Sequence, residues 1–333
     1  MNRHISITSP DTQDIQMTPL MKAIKSVHSV SNSGDSLSME DIKKQRASQD
    51  RFSGLVTPSF VIDTEPVTVK DISAEWVRPH YKYDQRHIIL YCHGGGYTCG
   101  SLKYARVLAG KLANNTGLPV FSFEYSLAPE SPYPAALEDA LTVWNYLMQL
   151  GYGAKDTILV GDSAGGNLAL ELALRIKSKN RIMPRALILM SPWTDMTMSG
   201  ESYETCKDAD PMLTKEYIAT CRYSFTGFNR NYLNSEHADN EEIIFNDNDF
   251  DYSKPEYSPL FADYDNFPPV LIQVGSNEIL KSDSYRLYEE LLNRGVNAIL
   301  EEYDDAWHVF QMLPLKKASE ALESISEYID GLF

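Results

Sequence analysis

Thr157-Ile-Leu-Val-Gly-Asp-Ser-Ala-Gly-Gly-Asn-Leu-Ala-Leu170 is the stretch that decides the fold of this chain. Its first four residues form a short β-branched and apolar run of the kind that parallel sheets bury. Gly161-Asp-Ser-Ala-Gly165 then matches G-x-S-x-G, a sharp strand-to-helix turn that lifts a serine out of a sheet. From Asn167 to Lys177, leucine and alanine recur at helical spacing, with Leu168, Leu172 and Ile176 on one face. A serine on so tight a turn sits in strained backbone, and its neighbours must lack bulk. Gly161 and Gly165 supply that room, and Gly166 lets the helix pack close to the sheet. The turn aims the N–H of Ala164, in the first turn of a helix, toward a developing negative charge beside the Ser163 hydroxyl.

Outward from this stretch the chain keeps a strand, loop, helix rhythm. Val67 to Trp76 alternates and predicts an antiparallel entry strand. His87–Cys92, Leu118–Tyr125, Arg185–Pro192, Pro269–Gly275 and Ala298–Tyr303 read as strands. Lys103–Leu112, Pro134–Leu150, Ser282–Asn293 and Leu315–Phe333 read as helices, the second opening on a proline, which a helix start tolerates. Alternating β and α segments of these lengths predict an α/β fold: a mostly parallel central sheet with helices on both faces.

Composition narrows the function classes. With 333 residues there is room for one large α/β domain with a cap, or for two modest domains. The formal charge of −16 repels nucleic acid and anionic membrane surfaces, so neither is an expected partner. The first residues, Met1-Asn-Arg-His-Ile-Ser-Ile-Thr-Ser-Pro10, lack the apolar core of a secretion signal. No run approaches the ~20 apolar residues of a membrane span, so a cytoplasmic protein without a membrane anchor is expected. Cys92, Cys99, Cys206 and Cys221 show no C-x-x-C pairing and suit a reducing compartment as free thiols; spacing alone leaves Cys92–Cys99 and Cys206–Cys221 bridges open.

Two regions stand outside the rhythm. Residues 1–60 are polar and irregular, with helical spacing over Met17–Val30 and over Ser38–Arg51, the latter with Ser38 as its expected cap. Thr194–Phe261 is long for a connection, and such length points to a lid or an insert. Within it Tyr217–Phe225 reads as helix. Glu236–Asp251 carries seven acidic residues whose spacing fits no calcium-loop pattern, so it reads as a solvated acidic loop.

A serine nucleophile needs three further pieces. His93-Gly-Gly-Gly-Tyr97 follows a strand directly, and its glycines expose backbone N–H groups able to donate to an oxyanion. His93 itself braces that loop. Of seven histidines, His308 stands just past the last strand, in the chain order serine, acid, histidine. The acid that orients its imidazole is Glu278 or Asp283. Glu278 is favoured because it follows a strand end, where loop residues reach the active face, whereas Asp283 sits where a helix begins and would serve as a cap.

Together, His93-Gly-Gly-Gly96, Gly161-Asp-Ser-Ala-Gly-Gly166, Tyr125-Ser-Leu-Ala-Pro-Glu130 and Pro134-Ala-Ala-Leu-Glu-Asp139 resemble the hormone-sensitive-lipase group of α/β-hydrolases, the bacterial family IV carboxylesterases. Ser258-Pro-Leu-Phe-Ala-Asp263 agrees, and the resemblance covers roughly residues 65 to 330. It implies an α/β-hydrolase fold with a helical cap, made here by residues 1–60 and by an insertion at about 195–250 in a catalytic domain of residues 61–333. It implies a carboxylesterase for short to medium acyl esters, working without metal or cofactor. Ser163 would be the nucleophile, His308 the base, and the N–H groups of Gly95, Gly96 and Ala164 the oxyanion hole, with Gly94 in the same loop. The family's acid lies about thirty residues before its histidine and is usually Asp. Glu278 stands thirty residues before His308, which supports it with Glu in place of Asp. Ser126 replaces the family's usual arginine in Tyr125-Ser-Leu, which puts one loop-bracing contact in question.

Tyr97, Trp193 and Phe310 are expected pocket walls by position. The expected partner is a small acyl ester, and family members often pair as homodimers through sheet edges or helices. Plant gibberellin receptors resemble the family yet bind a ligand without hydrolysis. Their triad histidine is replaced, and His308 argues against that reading. Amide or carbohydrate O-acetyl cleavage uses the same constellation and stays open.

Overall fold

The computed structural model describes residues 3–7, 39–56, 61–227 and 250–333. The strands are β1 (Arg3–Ile7), β2 (Ile62–Val69), β3 (Ile72–Pro79), β4 (Ile88–Cys92), β5 (Val120–Phe123), β6 (Thr157–Asp162), β7 (Leu187–Met190), β8 (Val270–Gly275) and β9 (Ala298–Tyr303). The helices are α1 (Met39–Leu55), α2 (Leu102–Thr116), α3 (Ala135–Gln149), α4 (Ala164–Ser178), α5 (Ser202–Thr205), α6 (Lys215–Thr226), α7 (Lys281–Asn293) and α8 (Lys316–Asp330). Among the described residues no helix is long and apolar enough to cross a membrane.

The strands form one sheet in the order β1-β9-β8-β7-β6-β4-β5-β3-β2, in which only the β2–β3 and β3–β5 pairs are antiparallel. The chain runs from β4 outward to β5, then crosses back to lay β6 on the other side of β4. That reversal opens a crevice at the carboxyl ends of β4 and β6, where open α/β sheets bind ligands.

Central strands are apolar on both faces because both are covered. In β4, Ile88, Leu90 and Cys92 face one core while Ile89 and Tyr91 face the other. The first core is shared with Leu137 and Trp144 of α3, Leu168, Leu172 and Ile176 of α4, and Leu287 and Leu291 of α7. The second is shared with Leu108 and Leu112 of α2 and Leu322, Ile325 and Ile329 of α8. Each such side chain, fully withdrawn from water, contributes roughly 2 kcal/mol. Helix boundaries follow local chemistry: Ser101 accepts a hydrogen bond from Tyr104 N at the start of α2, and Gly117 ends it in a left-handed conformation.

The expected single entry strand is a hairpin. Lys70 and Asp71 turn the chain between β2 and β3, with Lys70 at φ 55°; Val67 and Val69 on one arm and Ile72, Ala74 and Trp76 on the other face the same core, so the alternation shifts phase at the turn. Strand β1, in a stretch read as irregular, pairs parallel with the edge of β9. The helix expected over Ser38–Arg51 is α1, and Ser38 lies outside the described residues, as do the Met17–Val30 segment and residues 236–249 of the acidic loop. All four cysteines are free and buried, so neither bridge left open by spacing is formed.

Candidate active site

Five strand ends meet at the crevice. Ser163 follows β6 at φ 54°, ψ −122°, a conformation that side chains rarely adopt, and α4 begins at the next residue. The strain is held by tight packing. A Cβ on Gly165 would lie 2.0 Å from the Cys92 carbonyl oxygen, and one on Gly161 would lie 2.2 Å from that of Gly165. Ser163 N–H donates to Met190 O at 2.9 Å, which ties the turn to β7.

The loop after β4 lies against this turn. Gly95 and Gly96 take φ 119° and 61°, values that favour glycine. Asp162 braces the loop, since its Oδ1 accepts from Gly94 N–H at 2.9 Å and from the Tyr91 hydroxyl at 2.5 Å. Burial nevertheless raises its carboxyl to about 6, against those two hydrogen bonds. His93 is a brace as well. It is buried, its Nδ1 lies 2.8 Å from Gly94 O, and its ring stacks on Tyr125, whose hydroxyl donates to His93 O at 2.8 Å. Burial lowers the His93 imidazole to about 4. Ala164, the first residue of α4, is buried behind Ser163, and first-turn N–H groups have no partner within their own helix.

His308 arrives from the segment after β9. Its Nε2 is 2.9 Å from Ser163 Oγ, within reach of the hydroxyl proton. Its Nδ1 is 3.9 Å from Glu278 Oε2, close enough for attraction but beyond a hydrogen bond. Oε2 instead accepts from the Ser191 hydroxyl at 2.8 Å. Burial, with Asp210 and Asp283 as neighbouring acids, raises the Glu278 carboxyl well above the usual range, opposed by hydrogen bonds from Ser191 and Gly275. Asp283 does not reach the imidazole, and it does not cap its own helix. Its Oδ2 accepts from Thr194 and Asp195 N–H, both at 2.9 Å, which holds the segment after β7.

A cavity of about 110 Å³ opens onto Ser163, His308, Gly95 and Gly96. Its walls are mostly apolar: Phe52 of α1, Tyr104 of α2, Trp193, Met212, and Ile218 and Cys221 of α6. Of the three expected aromatic walls, only Trp193 lines it. Tyr97 turns away, stacks on Phe225 at 3.9 Å and donates to Asn167 Oδ1 at 2.7 Å. Phe310 is fully buried in a separate cluster with Tyr303 and Ala318. Their neighbours in sequence, Tyr97 after the glycines and Phe310 after His308, suggest the crevice, but the left-handed residues Tyr97 and Val309 swing each ring into the core.

Sequence reasoning missed several residues that shape the site. Helix α1 lines the cavity with Gln45, Ser48, Gln49 and Phe52. From the same helix, Arg46 Nε donates to Thr98 O at 2.8 Å in the glycine loop. A guanidinium thus braces this region from α1, while Ser126, at the family's arginine position, gives its N–H to Asp139. Asp210 accepts from Ile279 N–H and from Met212 and Leu213 N–H, which joins the loop of Glu278 to the cavity wall. An aspartate before proline carries no such signal in sequence.

Comparison with known proteins agrees with the geometry. A family model described as the α/β hydrolase fold matches residues 89–312. An esterase of Acinetobacter venetianus is 34% identical over 85% of this chain and 87% of its own length. An acetyl-hydrolase of Streptomyces hygroscopicus is 32% identical over 81% of this chain and 83% of its own. The crystal structure of an esterase from the bacterial hormone-sensitive lipase family superposes with a TM-score of 0.80 at 29% identity, covering 94% of this chain and 97% of that one.

Proposed function

The chain belongs to the α/β-hydrolase-fold family, in its hormone-sensitive-lipase branch, and from that premise we propose that it is a serine carboxylesterase for short- to medium-chain acyl esters. The observation that carries the reading is the 2.9 Å approach of His308 Nε2 to Ser163 Oγ at the floor of an apolar cavity beside the glycine loop.

His308 takes the Ser163 proton as the hydroxyl oxygen attacks the ester carbonyl. The tetrahedral oxyanion is stabilised by N–H groups of Gly95, Gly96 and Ala164, each donor worth roughly 3 kcal/mol in such sites. Glu278 stabilises the imidazolium that forms. Its 3.9 Å distance shortens as charge develops, since catalytic hydrogen bonds are often long in unliganded sites. His308 then protonates the leaving alcohol, and water repeats the sequence on the acyl-enzyme.

The small apolar cavity supports a short acyl chain, and Trp193, Met212 and Phe52 limit its length. Helix α1 and the segment bearing α5 and α6 act as the cap. The name of the Streptomyces relative makes acetyl esters the first substrates to try. Four free, buried thiols support a reducing, cytoplasmic setting.

A hydrolysis series on aryl esters from acetate to decanoate, with Ser163→Ala as control, tests the reading. Turnover peaking between acetate and hexanoate and absent in the control is expected. A folded protein inactive across the series, or an active Ser163→Ala, would refute it.

A further inference from the structure

Between the end of β7 and the proposed catalytic acid lies a side chain that the mechanism above does not use. Ser191 is fully buried, and its backbone N–H donates to Gln273 O of β8 at 2.8 Å. Its hydroxyl has one proton, which it gives to Glu278 Oε2 at 2.8 Å. That leaves its lone pairs free, and they accept the N–H of Val309 at 3.1 Å. Val309 is the residue after His308 and sits at φ 50°. One hydroxyl therefore joins the acid's loop to the histidine's loop.

We propose that Ser191 is a positioning residue for ester hydrolysis, its hydroxyl holding the Glu278 carboxylate and the His308 loop in register with each other. The inference rests on the preceding reading of Ser163, His308 and Glu278. Glu278 and His308 come from different strand ends and make no direct hydrogen bond in the resting site; backbone bonds from Ser276 and Asn277 to Tyr303 and Ala306 tie the bases of their loops, and Ser191 adds a tie at the level of the carboxylate and of the residue after His308. Ser191 is bonded to both loops and anchored to β8 by its own backbone.

The electrostatics agree. Glu278 is fully buried near Asp210 and Asp283, and a neutral Glu278 could not stabilise an imidazolium. The donated hydroxyl proton favours its ionised form. The residue type also fits the backbone. At φ 48° a β-branched threonine would be strained, and alanine or glycine would lack the donor.

The positive φ supplies a clean test, because glycine removes the hydroxyl while relieving the backbone and alanine removes it without relief. For Ser191→Gly and Ser191→Ala alike, kcat on an aryl butyrate should fall between about tenfold and a hundredfold, with KM within about twofold, the size expected for losing a hydrogen bond to a charged group. In a Glu278→Gln background the Ser191→Gly change should cost no more than about twofold further, since the carboxylate it holds is already gone. A Ser191→Gly enzyme with wild-type kcat, or a full additive loss in the Glu278→Gln background, would overturn the proposal. Ser163→Ala assayed alongside separates the two levels. If it is active, the underlying mechanism fails; if it is inactive while Ser191→Gly is unimpaired, only the role of Ser191 fails.

Discussion

Arg46, on the first described helix, holds both carboxylate oxygens of Glu130, at 2.8 and 2.9 Å, across 84 residues of sequence. The same guanidinium donates to the carbonyls of Thr98 and Ala128 at 2.8 and 3.2 Å. Helix α1 is thereby pinned to the loop that follows the glycines, and Gln45, Ser48, Gln49 and Phe52 are presented to the cavity. Charge-assisted bidentate geometry makes this pair stronger than a typical surface ion pair.

Loss of that pin should loosen the cavity wall without touching the reacting groups. Arg46→Ala should raise KM for an aryl butyrate by about three- to tenfold, and Glu130→Gln by less, because the carbonyl contacts survive and a half-exposed pair is worth only about 1 kcal/mol. Steady-state kinetics at low and high salt measure this. An unchanged KM in Arg46→Ala would mean that α1 docks through its apolar face alone.

The two acids near the site should separate by what fails. Glu278→Gln should stay folded and lose about 10³- to 10⁴-fold in kcat, as when a triad acid is neutralised. Asp283→Asn should lose about 2 kcal/mol of stability, because Asp283 Oδ2 accepts two backbone N–H groups, and the folded fraction should keep most of its turnover. Urea titration beside single-substrate kinetics decides. The reverse pattern would reassign the acid to Asp283.

Gly165 is a packing requirement. An added Cβ would lie 2.0 and 2.4 Å from the carbonyl oxygens of Cys92 and His93, both backbone atoms that cannot swing aside. Gly165→Ala should cost at least about 3 kcal/mol, the upper range for overpacking, and should cut activity through displacement of the glycine loop. A variant with a wild-type denaturation midpoint would show that the loop can retreat freely.

Acid stability should depend on His93 with a definite sign. Burial holds its imidazole near 4 in the native state, whereas the unfolded chain titrates near its ordinary value of 6.5. The unfolded state therefore binds the extra proton first, and stability falls as pH drops from about 6.5 to 4, by on the order of 3 kcal/mol in all. Asp162 runs the other way. Raised to about 6 from 3.8, it contributes stability that is full below 3.8 and lost as pH rises through 6. Wild type should show a shallow slope over pH 4–6, and His93→Gln should gain stability relative to wild type as acid is added. Parallel urea midpoints for the two proteins across that range would refute the assignment.

Much of this was legible in sequence because it is governed by sterics within a few residues. Gly161, Ser163 and Gly165 encode a strained turn wherever a buried strand feeds a helix, and β6 and α4 fall where that reading puts them. The continuous apolar runs encode strands covered on both faces. Chain order then nominates His308, because in such folds the histidine follows the serine and the acid in the chain, on the segment after the last strand.

What only the tertiary structure decided are relations between distant segments. These include Arg46 reaching Glu130, Ser191 meeting Val309 across 118 residues, and Asp283 serving the backbone after β7 while Glu278 faces the imidazole. They also include Tyr97 and Phe310 turning into the core while Phe52, Tyr104 and Ile218 wall the cavity. Local periodicity says which residues are apolar and which backbone turns are tight. It carries no information on which loops the sheet order brings side by side, and the contacts at this site form between strand ends that are neighbours only after the chain has crossed back from β5 to β6.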